Sequence, residues 1–406
     1  MRAGRGRPGA TRAAALTPWR FIVVFGVVSL LMDVVYEGAR SITGPLLASL
    51  GASAAVVGLV TGAGEAAALG LRLVSGPLAD RTRRFWALTI TGYALTAVSV
   101  PLLGVAGVLW AACALVVAER VGKAVRSPAK DTLLSHATAT TGRGRGFAVH
   151  EALDQIGALV GPLTVAGVLA ATAGDYAPTL GVLAVPGVAA MGLLFWLRAR
   201  VRDPARYEPA PEEAPRPEQG AGRPRLPRAF VVYAAFTAVT MTGFATFGVL
   251  SFHLVQRHLL PADLVPIVYA GAMAADAVSA LANGWLYDRI GPRALAALPV
   301  LSAAVPVLAF TRSLALAVVG ALVWGAAVGI QESTLRAVVA DLVPSPRRAT
   351  AYGIFAGVLG VAALAGGTLT GALYDRSVTL LVAVVAGIQA AALALLAVLR
   401  GRTGSP

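Results

Sequence analysis

Gly76-Pro77-Leu78-Ala79-Asp80-Arg81-Thr82-Arg83-Arg84 closes one long apolar run, and Gly284-Trp285-Leu286-Tyr287-Asp288-Arg289-Ile290-Gly291-Pro292-Arg293 closes another. Each places an Asp-Arg pair after a glycine and three residues, and the two stretches lie 208 residues apart (284 minus 76). Further pairs repeat at nearly the same offset. Arg126 and Asp131 recur as Arg336 and Asp341, while Phe147, Gly157 and Gly161 recur as Tyr352, Ala362 and Gly366. Similar offsets in separate segments imply two homologous halves in one orientation, related by an axis along the membrane normal.

The surrounding runs decide the class. A transmembrane helix needs roughly 20 apolar residues to cross about 30 Å of hydrocarbon. Such runs are expected near residues 19–44, 53–78, 84–104, 106–127, 144–172 and 177–198, then near 229–255, 263–288, 293–311, 314–342, 347–373 and 377–400. Alternation of apolar and polar residues is missing, which argues against a β-barrel. The chain is 57% hydrophobic and 13% charged, with mean hydropathy +0.74; a soluble domain carries about 25% charged residues. The fold class is therefore an all-α polytopic membrane protein of twelve helices in two six-helix bundles, residues 1–198 and 229–406. Residues 199–228, rich in Pro, Glu and Arg, read as a solvated linker.

Charge sets the orientation. Alternate loops hold Arg81, Arg83 and Arg84; Lys130, Arg143 and Arg145; Arg198 to Arg228; Arg289 and Arg293; Arg347 and Arg348; Arg400 and Arg402. The other loops carry scattered bases such as Arg257, Arg312 and Arg376. By the positive-inside rule both termini and the linker face the cytoplasm. The same rule, with anionic headgroups, accounts for the net charge of +14 without nucleic acid. The basic N-terminus leads into a run that continues through Asp33, Glu37 and Arg40, so it reads as a retained first helix of a cell-membrane protein. The single Cys113 leaves no internal disulfide or cysteine metal cluster.

The paired loops resemble the hallmark of the major facilitator superfamily, Gly-x-x-x-Asp-Arg-x-Gly-Arg-Arg between its second and third helices. The first copy is one residue short at the usual glycine, and the second has Gly291 followed by Pro292. The resemblance covers nearly the whole chain. It implies a monomeric secondary transporter without a cofactor, in which Gly76, Asp80, Arg81, Arg84, Gly284, Asp288 and Arg289 belong to gating loops. The glycines would admit close helix approach. It also implies that helices one, four, seven and ten line a central cavity. Gly157-Ala158-Leu159-Val160-Gly161-Pro162 is similar to the Gly-Pro motif of the superfamily's proton-driven exporters, although Val165-Ala166-Gly167 stands where that pattern has Gly-Gly.

Charges within apolar runs cost roughly 2.5–3.5 kcal/mol each near the bilayer centre and mark functional candidates. Asp33, Glu37 and Arg40 share one face of helix one, and Glu65 and Arg72 one face of helix two. Counting along the helices puts Asp33 and Glu65 at similar depth, where two adjacent carboxylates suit proton carriage. Asp33, Glu37, Glu65, Glu151 and Asp154 are the proton-coupling candidates. Asp33, Glu37, Arg40, Arg72, Glu119, Arg120, Thr240, Glu332 and Arg336 are the cavity candidates, with Thr242 and Thr246 as further hydrogen-bonding groups on helix seven. Lys123, Arg126 and Lys130 read as the loop end of helix four, and His150 as an interfacial histidine. Helix eight offers Asp276 alone.

The reading is a proton-coupled transporter of a small polar or ionisable solute, with export favoured over uptake. An intramembrane enzyme would need a His-Glu-x-x-His, Gly-x-Ser-x-Gly or Walker pattern, none of which occurs. Gly62-Ala63-Gly64-Glu65 mimics a dinucleotide loop but lies within a membrane run, where small-residue packing explains it. A membrane sensor would carry a folded soluble domain, which the linker cannot form.

Overall fold

The computed structural model describes residues 16–207, 226–343 and 348–403. Most of the expected linker and the side chain of Arg336 therefore lie outside the described residues. Those described are helical almost throughout, with no strand among them. The helices are α1 (Pro18–Ser49), α2 (Ala54–Gly70), α3 (Arg72–Thr82), α4 (Phe85–Gly104), α5 (Leu109–Thr141), α6 (Arg143–Ala171), α7 (Tyr176–Gly181) and α8 (Ala184–Arg200). After the linker come α9 (Arg228–Thr242), α10 (Phe247–Gln256), α11 (Val265–Ile290), α12 (Ala297–Ala309), α13 (Leu314–Leu342), α14 (Arg348–Arg376) and α15 (Val378–Thr403).

Each of the twelve expected runs contains helix. Three are in two pieces: α2 with α3, α7 with α8, and α9 with α10. Ten stretches are long and apolar enough to cross a membrane. One of these, the 48 residues Ala262–Ala309, is too long for a single crossing and turns at Gly291, with φ +61°, between α11 and α12. α5 misses the apolar criterion because Glu119, Arg120, Lys123, Arg126, Lys130 and Asp131 all lie on it. The arrangement is compatible with twelve crossings of an all-α membrane fold. α5 continues to Thr141 instead of ending near residue 127.

Local chemistry starts and stops these helices. Thr17 caps α1, its hydroxyl accepting from Arg20 N at 3.3 Å, with Pro18 in the first turn. Ser53 caps α2 in the same way at 3.4 Å. Gly51, with φ +87°, reverses the chain between α1 and α2. Large apolar side chains on the flanks, among them Val74, Val98, Val188, Leu281 and Val361, are exposed, as lipid contact requires.

Within the membrane, helices gain little by hiding apolar surface from one another, so close packing at small residues holds them together. Gly157 and Gly161 of α6 lie on α1. A methyl group there would sit 2.5 Å from the carbonyl oxygens of Leu30 and Val34 respectively. The helices before and after the linker meet along α2 and α14. A methyl on Gly58 would overlap the Gly367 carbonyl, one on Gly371 would overlap that of Ala54, and one on Gly62 would be 2.9 Å from Ala363 O. The Asp375 carboxylate of α14 adds two bonds to the start of α2, from Ala54 N at 3.1 Å and Ala55 N at 2.8 Å. A second tight crossing puts Gly44 of α1 on the Gly248 backbone of α10. These backbone contacts sit toward the ends away from the basic loops. Toward the basic ends the α3–α14 contact loosens to the Leu73 side chain, 3.1 Å from a methyl at Gly353. Glu151 and Glu332 are both exposed.

Gly76 and Gly284 do not serve close approach: nothing lies within 4 Å of a side chain placed at either. Where the first loop lacks the usual glycine, Arg83 takes a left-handed conformation, φ 51° and ψ 19°, to end α3.

Candidate solute site and buried charge networks

α1 presents Tyr36, Glu37 and Arg40 on one face because residues three and four apart on a helix are neighbours. Tyr36 is the hub of a buried network. Its hydroxyl oxygen accepts from Arg120 Nη1, from Lys123 Nζ at 3.0 Å and from Arg40 Nη1 at 3.5 Å. The Arg120 guanidinium and the Lys123 ammonium also lie 4.6 and 4.2 Å from the ring centroid, where the negative ring face attracts cations. Carboxylates offset these cations. Glu65 Oε1 lies 3.0 Å from Arg40 Nη2 and 3.2 Å from Arg120 Nη1. Glu119 Oε2 is 3.3 Å from Arg120 Nε, and Glu37 Oε1 is 3.7 Å from Arg40 Nη1. Gly64 makes room for this arrangement, since a methyl there would stand 2.8 Å from Arg120 Cγ.

The network forms one wall of a cavity of about 100 Å³. α9, α10 and α13 supply a mainly apolar wall, with Met241, Phe244, Phe247, Trp324 and Val328, and with Gln331 and Glu332 as polar groups. α2, α4 and α14 contribute besides the expected helices one, four, seven and ten. Helix seven is broken here. α9 ends at Thr242, α10 begins at Phe247, and Phe244, Ala245 and Thr246 line the cavity. The freed backbone finds partners. Ala245 O accepts from Trp324 Nε1 at 2.8 Å, Thr240 O accepts from Gln389 Nε2 at 2.9 Å, and Thr246 Oγ1 caps α10 and lies 2.9 Å from Thr61 Oγ1 of α2. Irregular backbone at membrane depth persists only where protein or a polar cavity satisfies it.

A second network lies within α1, α4, α5 and α6. Lys130 Nζ donates to His150 Nε2 at 3.0 Å and to Ser29 Oγ at 3.4 Å, and stands 3.6 Å from Asp154 Oδ2. Ser29 Oγ lies 3.1 Å from the Tyr93 hydroxyl, over whose ring Arg126 stacks at 4.5 Å. Lys123, Arg126 and Lys130 are thus packed among helices rather than placed at a loop end, and His150 is buried rather than interfacial. Helix four runs on past residue 127 because the charges of Lys123, Arg126 and Lys130 share one protein-facing side.

Of the residues singled out from sequence, Arg40, Glu65, Glu119, Arg120, Thr246 and Glu332 line the cavity, as does Lys123, which was expected at the loop end of helix four. Glu37 sits behind it and accepts from the Tyr269 hydroxyl of α11 through Oε2. Asp33 makes no hydrogen bond or ion pair among the described residues; it packs at Gly157 of α6, beside the second network, whose Asp154, Arg126 and Lys130 are the main charges acting on it. Asp33 and Glu65 therefore do not adjoin. Glu151 is exposed, and Arg72 Nη2 reaches Ser127 Oγ at 3.5 Å. Thr240 turns away from the cavity and donates to Gln389 Oε1 at 2.7 Å. Asp80, Arg81, Arg84, Asp288 and Arg289 are exposed, with Arg289 stacked 3.7 Å over Trp285. Pro162 continues within α6. Tyr36, Tyr93 and Tyr269 were missed. Only Tyr36 carried a signal, four residues before Arg40 on the charged face of helix one.

A family model described as Major Facilitator Superfamily matches residues 25–262 and 233–406. An uncharacterized protein of Mycobacterium tuberculosis (strain ATCC 25618 / H37Rv) is 66% identical over 395 residues, covering 97% of this chain and 96% of that relative. An uncharacterized MFS-type transporter of Methanocaldococcus jannaschii is 29% identical over 140 residues, 34% of this chain and 35% of the relative. Among solved structures, a mutant of the nucleoside transporter NupG superposes with TM-score 0.72 at 14% identity, covering 93% of this chain and 99% of that one. A POT family transporter in complex with 5-aminolevulinic acid gives 0.72 at 11% identity, covering 93% and 95%. At such identities the likeness is one of fold.

Proposed function

The chain belongs to the major facilitator superfamily, and from that premise we propose that this membrane transporter carries a small ionisable solute with an apolar or aromatic body, coupled to proton movement. The observation that carries this reading is Lys123. Its ammonium has three donors, yet its one hydrogen-bond partner among the described residues is the Tyr36 hydroxyl, and no carboxylate there pairs with it. A carboxylate or phosphate of the solute fits beside Lys123 and Arg120, while Phe247 and Trp324 offer a face to the apolar part. Glu332, exposed and without an ion pair among the described residues, suits a cationic group on a zwitterion.

Alternating access follows from residues 1–198 and 229–406 rocking about the cavity, with 199–228 as a cytoplasmic tether and both chain ends inside. Proton coupling draws on the carboxylates Asp33, Glu37, Glu65, Glu151 and Asp154. Export rests on the Gly-Pro resemblance of helix five. Gly157 and Gly161 of that motif also pack against α1.

Proteoliposomes loaded with a pH-sensitive dye test this against a panel of organic acids, amino acids and nucleosides under an imposed pH gradient. One ionisable solute class should drive proton flux, with the sign of the flux giving export or uptake. Lys123→Gln should raise the half-saturating concentration about tenfold, the loss of about one charge-assisted hydrogen bond. Flux of a neutral solute, indifferent to the gradient and to Lys123→Gln, would refute the reading.

A further inference from the structure

Asp276, on α11, is only 5% exposed. Among the described residues it makes no hydrogen bond and no ion pair, and unlike Arg126, which is equally buried but stacks on Tyr93, it has no ring contact either. A lone carboxylate kept from water is expensive, whereas the neutral acid is not. Its position is also set by packing. A methyl on Gly329 of α13 would lie 2.9 Å from Asp276 Oδ1, so that glycine lets the carboxyl rest against α13 one turn from Glu332.

α11 lies on the seam between the two sets of helices, packed on α13 of its own set and on α6 and α1 of the other. The charged groups facing Asp276 from these neighbours are Glu332 of α13, Glu37 and Arg40 of α1, and Glu151 of α6. Four carboxyls thus converge from four helices, two on each side of the seam. Among the described residues Arg40 is the cation acting most strongly on Asp276, and it already serves Glu37 and Glu65.

We propose that Asp276 is a proton-binding group of this transporter, and that loading it lets the two sets of helices close on each other at their basic ends. Closure brings Glu37 and Glu151 toward Asp276 and Glu332, and repulsion among them grows as water leaves. A proton on Asp276 removes one of these charges without changing the volume of the seam. By linkage, whatever favours closure then favours proton binding to the same degree. This deepens the proton-coupled reading and rests on it, but its test needs no solute.

Spin labels at Ala148 of α6 and Leu281 of α11, both exposed, report the separation near the basic ends. They are introduced into a Cys113→Ala background and measured by pulsed electron–electron resonance in lipid nanodiscs from about pH 5 to about pH 9. The short-distance population should rise on acidification, changing the closed-to-open ratio about tenfold. Asp276→Asn, which fixes the uncharged form, should hold the short distance at every pH. Asp276→Glu and Glu332→Gln, which both keep a carboxyl at position 276, should still respond to pH; a merely structural role for Asp276 would not separate Asp276→Glu from Asp276→Asn. A wild-type pH response surviving in Asp276→Asn overturns the inference, as does a wild type whose distances ignore pH. Either result leaves solute-driven proton flux in vesicles to judge the transport reading independently.

Discussion

Glu65→Gln keeps the volume of the side chain and removes one negative charge from the cavity wall. Glu65 Oε1 accepts from Arg40 at 3.0 Å and stands 3.2 Å from Arg120. The Glu65 side chain is 28% exposed and that of Arg120 9%. A hydrogen bond to a charged group contributes about 1.5–3 kcal/mol, and breaking a fully buried pair costs about 3–5 kcal/mol. Glutamine still offers an oxygen, and water reaches part of the site, so the expected loss lies near the bottom of those ranges, about 2 kcal/mol. That is roughly 30-fold in the unfolding equilibrium. Arg120 keeps Glu119 and Tyr36, whereas Arg40 keeps only the longer contacts to Glu37 and Tyr36. The coupling should therefore appear mainly with Arg40. A double-mutant cycle with Arg40→Gln, read by denaturant unfolding in mixed micelles, should return about 1 kcal/mol. If Glu65→Gln unfolds within about 0.3 kcal/mol of wild type and adds to Arg40→Gln without coupling, the Glu65 contacts do not hold this wall together.

Tyr36→Phe retains the ring but removes the oxygen shared by Arg120, Lys123 and Arg40; solute-driven flux in proteoliposomes should show about tenfold weaker apparent affinity. Gly58→Ala places a methyl on the Gly367 carbonyl and should cost about 1–3 kcal/mol by overpacking, seen as a lower melting temperature and as faster maleimide labelling of a cysteine at Thr61. Arg83→Gly relieves a left-handed residue, φ 51°, and should stabilise by about 0.5–1 kcal/mol in thermal unfolding. Gly291→Ala, at φ 61° and ψ −142°, should destabilise by about 1–3 kcal/mol, because that backbone region is essentially glycine's own.

Run length, charge asymmetry between loops and the repeat of the Gly76 and Gly284 stretches were enough to establish an all-α membrane protein with helices near the expected places. These properties are local, or depend on spacing along one chain, and a bilayer leaves few alternatives for such runs. The charged face of α1 was legible for the same reason, since a helix's own period decides which side chains share a side. Partnerships between helices were not legible. They depend on how each helix is rotated and tilted against its neighbours, which tertiary packing decides. Arg120 and Lys123 therefore met Tyr36 unannounced, Asp33 came to lie against Gly157 of α6 rather than beside Glu65, and Thr240 turned toward Gln389. The break between Thr242 and Phe247 contains no proline to signal it. It persists because Trp324 and Gln389, distant in sequence, take up the carbonyls it frees. The isolation of Asp276 likewise could only be seen once four helices had been brought together around it.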